Sequence, residues 1–323
     1  MRDLRVSQDA ARSNDLSGLS ALREGAAVVD RSQRRLLRLT GRDPVGMLNA
    51  VLTNDVPTQG DRGAYAMLLN PKGRIQTDLR VIKTGEGILI DTEPEGVKAT
   101  KEILGRYAPF SRAKLEDLSD TWSVLGLYGP SAGKLLGDLK LAEHQSKEIE
   151  IEGRTLLAVG VAVPVSGNDL IGETEAVDAA HRYLTSRGAT PIDLAAYETI
   201  RIEAGVPRFG ADITQDNFPG ETGVLDRAVS FDKGCYPGQE TVARMHYRGH
   251  PNKTLYRLVV EGAEIKPGTE IHQNEKAVGT ITSAAPLSVD GKMSAFGYLS
   301  RNADTGEPLR AGDARVHVLG AAS

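Results

Sequence analysis

The sequence predicts an α+β fold, with two tandem ferredoxin-like lobes of split βαβ topology followed by a C-terminal antiparallel β-barrel. Three observations lead to this prediction. A strand, helix, hairpin, strand and helix follow one another twice within the first 190 residues. The two copies align at a constant offset of 88 residues, which places Leu125 over Leu37. From Lys253 onward, the pattern changes to short alternating strands separated by turns.

In the first copy, the elements are predicted over residues 36–40, 44–52, 65–69, 74–82, 88–90 and 94–104. Asp43 and Pro44 predict the start of the first helix, because aspartate is a favoured N-cap and proline fits the first turn. The segment from Asn70 to Gly73 is rich in turn-forming residues and predicts the hairpin turn.

In the second copy, the elements are predicted over residues 125–129, 131–139, 155–159, 161–165, 170–171 and 174–184. Ser131 is a plausible N-cap for the first helix of this copy, and Gly188 follows the last one. Repetition of one unit by duplication explains this order. Chance similarity of two α+β segments remains the alternative, because short β-turn-α patterns are common.

A further helix is expected over 193–203, followed by a loop-rich stretch. The barrel strands are predicted over residues 255–260, 276–282, 294–299 and 315–319. The turns between them are indicated by Pro267-Gly268, Asp290-Gly291 and Ala311-Gly312. We therefore expect a first lobe over residues 1–115, a second over 116–250 and the barrel over 251–323.

Composition limits the classes of partner and location. The formal net charge is −4, which gives no electrostatic reason to expect nucleic acid or an anionic membrane as the main partner. No apolar run approaches the roughly 20 residues that a membrane helix needs. Residues 1–15 alternate charges without an apolar core, so no signal peptide is expected. These features predict a cytoplasmic protein.

The chain has one cysteine, Cys235. A single thiol excludes an internal disulfide and a cysteine-rich zinc site. It also cannot hold a complete iron–sulfur cluster, which normally takes four thiolates. Any cluster chemistry would therefore need ligands from another molecule.

Cys235 lies in the most unusual segment of the chain, between Gly234 and Tyr236-Pro237-Gly238. It is therefore expected on a turn, just before a helix that begins at Gln239. Lys233, Arg244 and a helix N-terminus would each favour a thiolate. The alternative is that the cysteine serves as a small buried hydrophobic residue.

The string Lys233-Gly-Cys-Tyr-Pro-Gly-Gln-Glu240, followed by Ala243-Arg244 and Gly249, resembles the signature of the YgfZ family. These folate-binding proteins act in iron–sulfur cluster assembly or repair and are related in fold to the glycine cleavage T-protein. The blocks from Arg201 to Glu221 and from Asn70 to Leu79 also resemble family segments. The resemblance implies a T-protein-like arrangement of three domains around a folate pocket.

By this resemblance, Asp78 matches a T-protein aspartate that contacts folate near its one-carbon position, and Tyr65 matches a tyrosine of the pocket. Glu203 and Glu221 are weaker candidates for pterin hydrogen bonds, since a carboxylate can accept from two N–H donors. Each residue also has a purely structural interpretation, as strand packing, a surface polar position or a structural salt bridge. At the rim of the pocket we expect five signature residues, namely Cys235, Lys233, Gln239, Glu240 and Arg244.

One stretch departs from the T-protein pattern. Residues 166–171 read Ser-Gly-Asn-Asp-Leu-Ile, where T-proteins carry a glutamate that contacts folate. The expected function is therefore that of a tetrahydrofolate-binding accessory protein for iron–sulfur proteins or assembly factors. A folate-dependent aminomethyl- or methyltransferase is the alternative, and an interaction protein with a vestigial pocket is a third reading. Whether the chain is an enzyme is left open.

Three other signals receive structural interpretations. The segment from Gly129 to Lys134 lacks the spacing of a phosphate-binding loop. His246 and His250 are four residues apart, but Gly249 and Pro251 interrupt the helix that would align them, so no metal site is expected. A cluster of five arginines could attract phosphate or a polyglutamate tail, although a solvated strand edge is favoured; it comprises Arg31, Arg34, Arg35, Arg38 and Arg42.

Overall fold

A computed structural model describes residues 17–322 of the 323-residue chain. Its helices are α1 (residues 17–24), α2 (Pro44–Val51), α3 (Val97–Tyr107), α4 (Thr174–Ser186), α5 (Leu194–Glu203), α6 (Leu225–Ala228) and α7 (Gln239–Arg248). Within the described part of the chain, no helix is both long enough and apolar enough to cross a membrane.

The strands are β1 (Ala27–Asp30), β2 (Arg35–Gly41), β3 (Ala64–Leu69), β4 (Ile75–Thr84), β5 (Gly87–Thr92), β6 (Ala113–Asp117), β7 (Trp122–Tyr128), β8 (Ser146–Ile151), β9 (Arg154–Val161), β10 (Gly167–Glu173), β11 (Thr190–Ile192), β12 (Lys253–Glu261), β13 (Glu270–Gln273), β14 (Lys276–Ala284), β15 (Lys292–Ser300), β16 (Leu309–Ala311) and β17 (Ala314–Ala321). They form two open sheets and one closed barrel, as the α+β prediction requires.

The two open sheets share one strand order. The first runs β3-β4-β5-β2-β6, and the second runs β11-β1-β7-β10-β9-β8. The order β3-β4-β5-β2 thus recurs as β8-β9-β10-β7, which is the ferredoxin-like repeat expected from the sequence. The N-terminal strand β1 pairs with β7 and β11, so this segment completes the second sheet rather than the first.

The sheets pack face to face, with helices on their outer sides. Leu36 and Leu89 of the first sheet pack with Val124 and Ile171 of the second in one buried cluster. On the outer faces, α2 and α3 cover the first sheet, and α4 covers the second. Each fully buried leucine or isoleucine contributes about 1.5–3 kcal/mol, so these layers fix the relative position of the two lobes.

The C-terminal strands close into a six-stranded barrel with the order β12-β15-β14-β13-β16-β17. Arg201 on α5 joins it to the lobes: the guanidinium donates to Asp212 at 2.8 Å. Asp212 in turn accepts a hydrogen bond from Thr282 of β14 at 2.7 Å. The barrel is thereby attached to helix α5 of the second lobe.

Local signals predicted several boundaries correctly. Asp43 caps α2, accepting a hydrogen bond from the Gly46 amide at 2.8 Å. Asp193 caps α5 in the same way, through the Ala196 amide at 3.0 Å. The hairpin, the start of α7 at Gln239 and the barrel are also confirmed.

Two predicted elements of the second lobe are wrong. The helix expected from Ser131 is only a 3-10 turn over Ala132–Leu136, which ends because Gly137 and Asp138 adopt left-handed backbone conformations. The strand expected over 161–165 is absent, since β9 already ends at Val161 and is followed by an irregular segment. Strand β9 pairs instead with β8, whose alternating charged residues made it inconspicuous in the sequence.

Candidate functional site

A cavity of about 350 Å³ lies where the two sheets meet α5 and the loop that follows it. Strands β3 and β4 form one wall, and β9 forms another. The turn between β1 and β2 also contributes residues, so both lobes shape the cavity. Its volume falls in the range of about 300–1,000 Å³ that is typical of small-molecule sites.

Tyr65 and Asp78 stand together in this wall. The Tyr65 hydroxyl donates to Asp78 Oδ2 at 2.7 Å. Tyr65 pairs with Arg80 across the hairpin, and Met67 pairs with Asp78, so the two side chains are diagonal neighbours on one face. The thirteen-residue spacing seen in the sequence is therefore the spacing of a hairpin pair.

Asp78 is held in an unusual environment for a carboxylate. Its side chain is buried, and its backbone carbonyl accepts hydrogen bonds from the hydroxyls of Thr77 and Thr92. Burial raises the pKa of Asp78 to about 6, although the hydrogen bond from Tyr65 opposes this effect and nearby Glu93 adds to it. At neutral pH, the carboxyl group can therefore change protonation state at small cost.

Beneath this pair, arginines and aspartates form a buried network that joins the sheets. Arg80 donates to Asp91 of β5 at 2.8 Å and also contacts Asp169 of β10. Arg34 donates to Asp91, and Arg31 donates to Asp169 at 3.4 Å. Burial alone would raise the pKa of Asp169, but Arg80 and Arg31 lower it to about 2.

This network corrects the expectation of a solvated arginine edge. Arg31 and Arg34 are buried cations that line the cavity, because the turn between β1 and β2 passes between the two sheets and faces their carboxylates. Their ion pairs are with Asp169, Asp91 and Glu93. Arg38 lies outside this network and stacks over Trp122 at 5.1 Å.

Helix α5 supplies side chains that sequence reasoning missed. Leu194, Tyr197, Glu198 and Arg201 all line the cavity, and their spacing is that of one helical face. The Arg201 Nε donates to both carboxylate oxygens of Glu198, at 3.1 and 3.0 Å. This i, i+3 relationship could have been found in the sequence. The side of α5 that faces the cavity could not.

A second group of charges closes the cavity near Tyr65. Arg227 pairs with Glu143 at 2.7 Å, and its guanidinium lies 5.8 Å from the centre of the Tyr65 ring. His144 follows Glu143 in the chain, and burial together with Arg80 lowers the pKa of this histidine to about 4. The imidazole is therefore neutral at physiological pH.

The remaining wall is apolar. Val161, Phe209 and Val224 are buried side chains that line the cavity. Val163 and Leu194 are 36% and 39% exposed and line it as well. The cavity thus combines apolar walls with a few convergent polar groups, which is the usual character of a small-molecule site.

The structure places the two weaker glutamate candidates elsewhere. Glu203 pairs with Arg23 of α1 at 2.6 Å and does not line the cavity. Glu221 is buried and accepts hydrogen bonds from the Phe218 amide and from Asn217. Both carboxylates therefore have structural contacts that account for them.

The five signature residues do not line the cavity. Lys233 and Cys235 lie on a surface loop over residues 229–238, called the signature loop below, and the other three lie on α7. Cys235 is exposed at this loop. The Lys233 ammonium donates to the carbonyl oxygens of Asn49 and Leu52, at 2.8 and 2.5 Å, and so caps the C-terminal end of α2. Burial lowers the pKa of Lys233 to about 8.

Helix α7 presents the other three signature residues. Gln239 is half-buried at its first turn, whereas Glu240 and Arg244 are exposed. His246 stacks on Phe231 at a centroid distance of 4.3 Å. Within residues 17–322, no three histidine, cysteine or acidic side chains are grouped so as to hold a metal ion.

Comparison with known proteins relates the chain to one family. A family model described as the GCVT N-terminal domain matches residues 11–233. The chain is 28% identical, over 293 residues, to a Yersinia pestis protein named tRNA-modifying protein YgfZ, covering 88% of this chain and 87% of the relative. An uncharacterized protein of Haemophilus influenzae is 28% identical over 289 residues, which cover 86% of this chain and 91% of the relative.

A solved structure extends this relationship to the whole fold. The glycine cleavage system aminomethyltransferase T of Bartonella henselae superposes with a TM-score of 0.81 at 23% identity. The match covers 94% of this chain and 88% of that protein. The expected similarity to YgfZ proteins and to the T-protein fold is confirmed.

Proposed function

Because the chain belongs to the GCVT N-terminal domain family, we propose that it is a tetrahydrofolate-binding accessory protein in iron–sulfur cluster assembly or repair. The observation that carries this proposal is the Tyr65–Asp78 pair in the wall of the central cavity. The similarity to YgfZ proteins over most of the chain supports it.

The residues present fit a folate. A reduced pterin carries adjacent N–H donors, its aminobenzoyl ring is apolar, and its glutamate tail is anionic. The cavity offers carboxylates at Asp78 and Glu198 and apolar side chains at Val161 and Phe209. The pterin and the aminobenzoyl ring thus have chemically matched walls, whereas Arg208 is already paired with Glu93, Glu95 and Glu198.

Asp78 and Tyr65 would hold the reactive part of the ligand. The Tyr65 hydroxyl donates to Oδ2 of Asp78, so Oδ1 is available to accept a hydrogen bond from a ligand N–H. Because the pKa of Asp78 is raised to about 6, the carboxyl could accept such a hydrogen bond when ionised or donate one when protonated. Bound tetrahydrofolate would supply a carrier for a one-carbon unit.

Glu198 is the carboxylate we assign to the pterin ring. Arg201 holds both of its oxygens from one side, which fixes the orientation of the carboxylate plane. Two fixed oxygens can accept from two adjacent N–H donors. Glu203 and Glu221 are not included in this site, because neither lines the cavity.

Two features support the accessory role: the thiol of Cys235, and a second lobe without a glutamate over residues 166–171. An exposed thiol that is the only one in the chain can engage a partner's cluster, iron or thiol, but cannot hold a cluster alone. The second lobe has asparagine and aspartate, not glutamate, over residues 168–169, and Asp169 is already engaged by arginines. This favours an accessory protein over an aminomethyltransferase.

Complementation tests this proposal. A host lacking its own YgfZ protein would receive the wild-type chain, Cys235→Ser or Asp232→Ser, a matched change at an exposed neighbour in the same loop. We expect wild type and Asp232→Ser to restore an iron–sulfur enzyme's activity and Cys235→Ser to fail. Because the Yersinia relatives are named tRNA-modifying, the modified-nucleoside content of bulk tRNA is the second readout.

Failure of the wild-type chain to restore either readout, with the protein soluble and folded, would contradict the accessory role. Formation of methylene-tetrahydrofolate from an amine donor by the purified chain would then establish the transferase alternative. If Cys235→Ser restores activity as well as the wild type does, the accessory role stands but does not depend on the thiol.

A further inference from the structure

The signature loop and the cavity are separate, yet one packed cluster connects them. Tyr65, Phe209 and Val224 line the cavity and belong to an apolar cluster that also contains Tyr236 and Val242. Tyr236 is the direct neighbour of Cys235, and Val242 lies on α7. Buried side chains in continuous contact transmit small displacements, because protein interiors are close-packed.

The hairpin of β3 and β4 provides a second connection. Its body carries Tyr65 and Asp78, and its turn ends at Gly73. Gly73 lies directly against the first turn of α7, since a Cβ added there would come within 2.8 Å of Thr241 Cβ. A Cβ added to Gly238 would come within 2.8 Å of Gly73 Cα. The two segments therefore approach more closely than residues with side chains would allow.

Tyr236 is buried, but the hydrogen-bonding capacity of its hydroxyl is unused within the described residues. The residue is 6% exposed, and its hydroxyl has no hydrogen-bond partner within the described chain. A buried hydroxyl without a partner is destabilising, which offsets part of the stabilisation from burying the ring. The Lys233 ammonium, 5.3 Å from the centre of its ring, anchors the loop to α2. The loop is thus anchored at Lys233, whereas the packing of Tyr236 carries the cost of an unpaired hydroxyl.

We infer that the β3–β4 hairpin and Tyr236 form a relay that couples occupancy of the central cavity to the mobility of the Cys235 loop. A ligand held by Tyr65 and Asp78 restrains the hairpin and the cluster behind it. Tyr236 then leaves its packed position less often, and the loop opens less often. This inference rests on the proposed folate site, and it makes the exposed thiol responsive to the ligand.

Hydrogen exchange of the loop amides tests the relay, because exchange reports local opening. The probe is 5-formyltetrahydrofolate at saturating concentration, with binding measured on the same samples by calorimetry. In the wild-type chain, we expect the ligand to slow exchange over residues 230–242 about threefold or more. In Gly73→Ala, we expect binding to persist while the slowing falls below about 1.5-fold.

Gly153→Ala is the matched control. Gly153 occupies the corresponding turn between β8 and β9 and has a positive φ of 73°, close to the 82° of Gly73. A Cβ at Gly153 would lie within 4 Å of no other group in the described part of the chain, so this variant has the backbone strain without the contact. It should behave like the wild type.

The outcomes separate the two proposals. Ligand binding without any change in loop exchange would overturn the relay and leave the folate site intact. Absence of binding to the wild-type chain would overturn both. Full coupling in Gly73→Ala would exclude the hairpin contact as the route. If Gly73→Ala does not fold, Tyr236→Phe decides: it should slow loop exchange without ligand and reduce the ligand effect, and an unchanged response would contradict the relay.

Discussion

The hydroxyl of Tyr65 lies 2.7 Å from Oδ2 of Asp78, in the wall of the cavity between the two lobes. This hydrogen bond joins adjacent strands of a single hairpin and favours the ionised carboxylate. Burial favours the neutral carboxyl group more strongly than the hydrogen bond favours the ionised one, so the pKa of Asp78 rises to about 6. The chain keeps a costly buried carboxyl group here, as expected for a functional site.

Asp78→Asn should therefore stabilise the protein at alkaline pH. A pKa raised from 3.8 to about 6 means that the stability contributed by the bound proton is present below pH 3.8 and is lost as the pH rises through about 6. Above pH 6, the ionised group costs up to about 3 kcal/mol, which asparagine avoids.

Urea unfolding at pH 8 and pH 4 measures this effect. The variant should exceed the wild type by about 1–3 kcal/mol at pH 8 and by little at pH 4. A variant that is less stable than the wild type at pH 8 would show that Asp78 is structural.

Asp169→Asn should have the opposite effect. Its pKa is lowered to about 2, despite burial, by Arg80 and Arg31, so its contribution is present above pH 3.8 and is lost as the pH falls toward 2. Removing the charge leaves two buried arginines short of an anion, which costs about 3–5 kcal/mol at pH 7. Asp120→Asn, at an exposed position, should change stability by less than about 0.5 kcal/mol.

Thermal unfolding of these two variants at pH 7 provides the measurement. Equal melting temperatures for Asp169→Asn and Asp120→Asn would contradict the role of the buried network in joining the sheets.

Lys233→Met should weaken the attachment of the signature loop. The ammonium donates to two carbonyl oxygens at the end of α2, and charged hydrogen bonds contribute about 1.5–3 kcal/mol each before solvent exposure is considered. Because burial disfavours the ammonium and lowers its pKa to about 8, part of this contribution is offset, and we expect a loss of about 1 kcal/mol in urea unfolding at pH 7.

Lys233→Arg keeps a cation and should retain part of that stability. Lys72→Met removes an exposed lysine from the hairpin turn and should change stability little. If Lys233→Met unfolds at the wild-type urea concentration, the loop is not anchored through this residue.

Tyr236→Phe should leave stability unchanged or raise it by up to about 1–2 kcal/mol, because it removes a buried hydroxyl that has no hydrogen-bond partner among residues 17–322. Tyr298→Phe is the control. The Tyr298 hydroxyl donates to the Asp212 carbonyl at 3.1 Å, so its removal should cost about 1–2 kcal/mol. A comparable loss in both variants would mean that Tyr236 has a hydrogen-bond partner in solution.

The sequence predicts the elements that depend on local chemistry. The cap at Asp43, the start of the helix near Asp193, the hairpin and the turn before α7 each depend on neighbouring residues, and all are confirmed. Strand β8 was missed because Lys147, Glu148 and Glu150 give it the appearance of a surface loop.

The charges of the cavity could not be predicted, because they depend on distant contacts. Arg31 and Asp169 are 138 residues apart in sequence, and nothing near Arg31 indicates that it will be buried. Similarly, the pattern of α5 places Glu198 and Glu203 on different faces without showing which face meets the cavity. Only tertiary packing determines which of these two faces meets the cavity.

Calorimetric titration with 5-formyltetrahydrofolate tests the central claim most directly. The wild-type chain should bind one equivalent, and Asp78→Asn and Tyr65→Phe should each weaken binding by about tenfold, which corresponds to about 1.4 kcal/mol. Glu203→Gln, which alters a carboxylate outside the cavity, should bind like the wild type. A folded wild-type chain that takes up no ligand, or that binds equally well when Tyr65 and Asp78 are changed, would contradict the folate site proposed here.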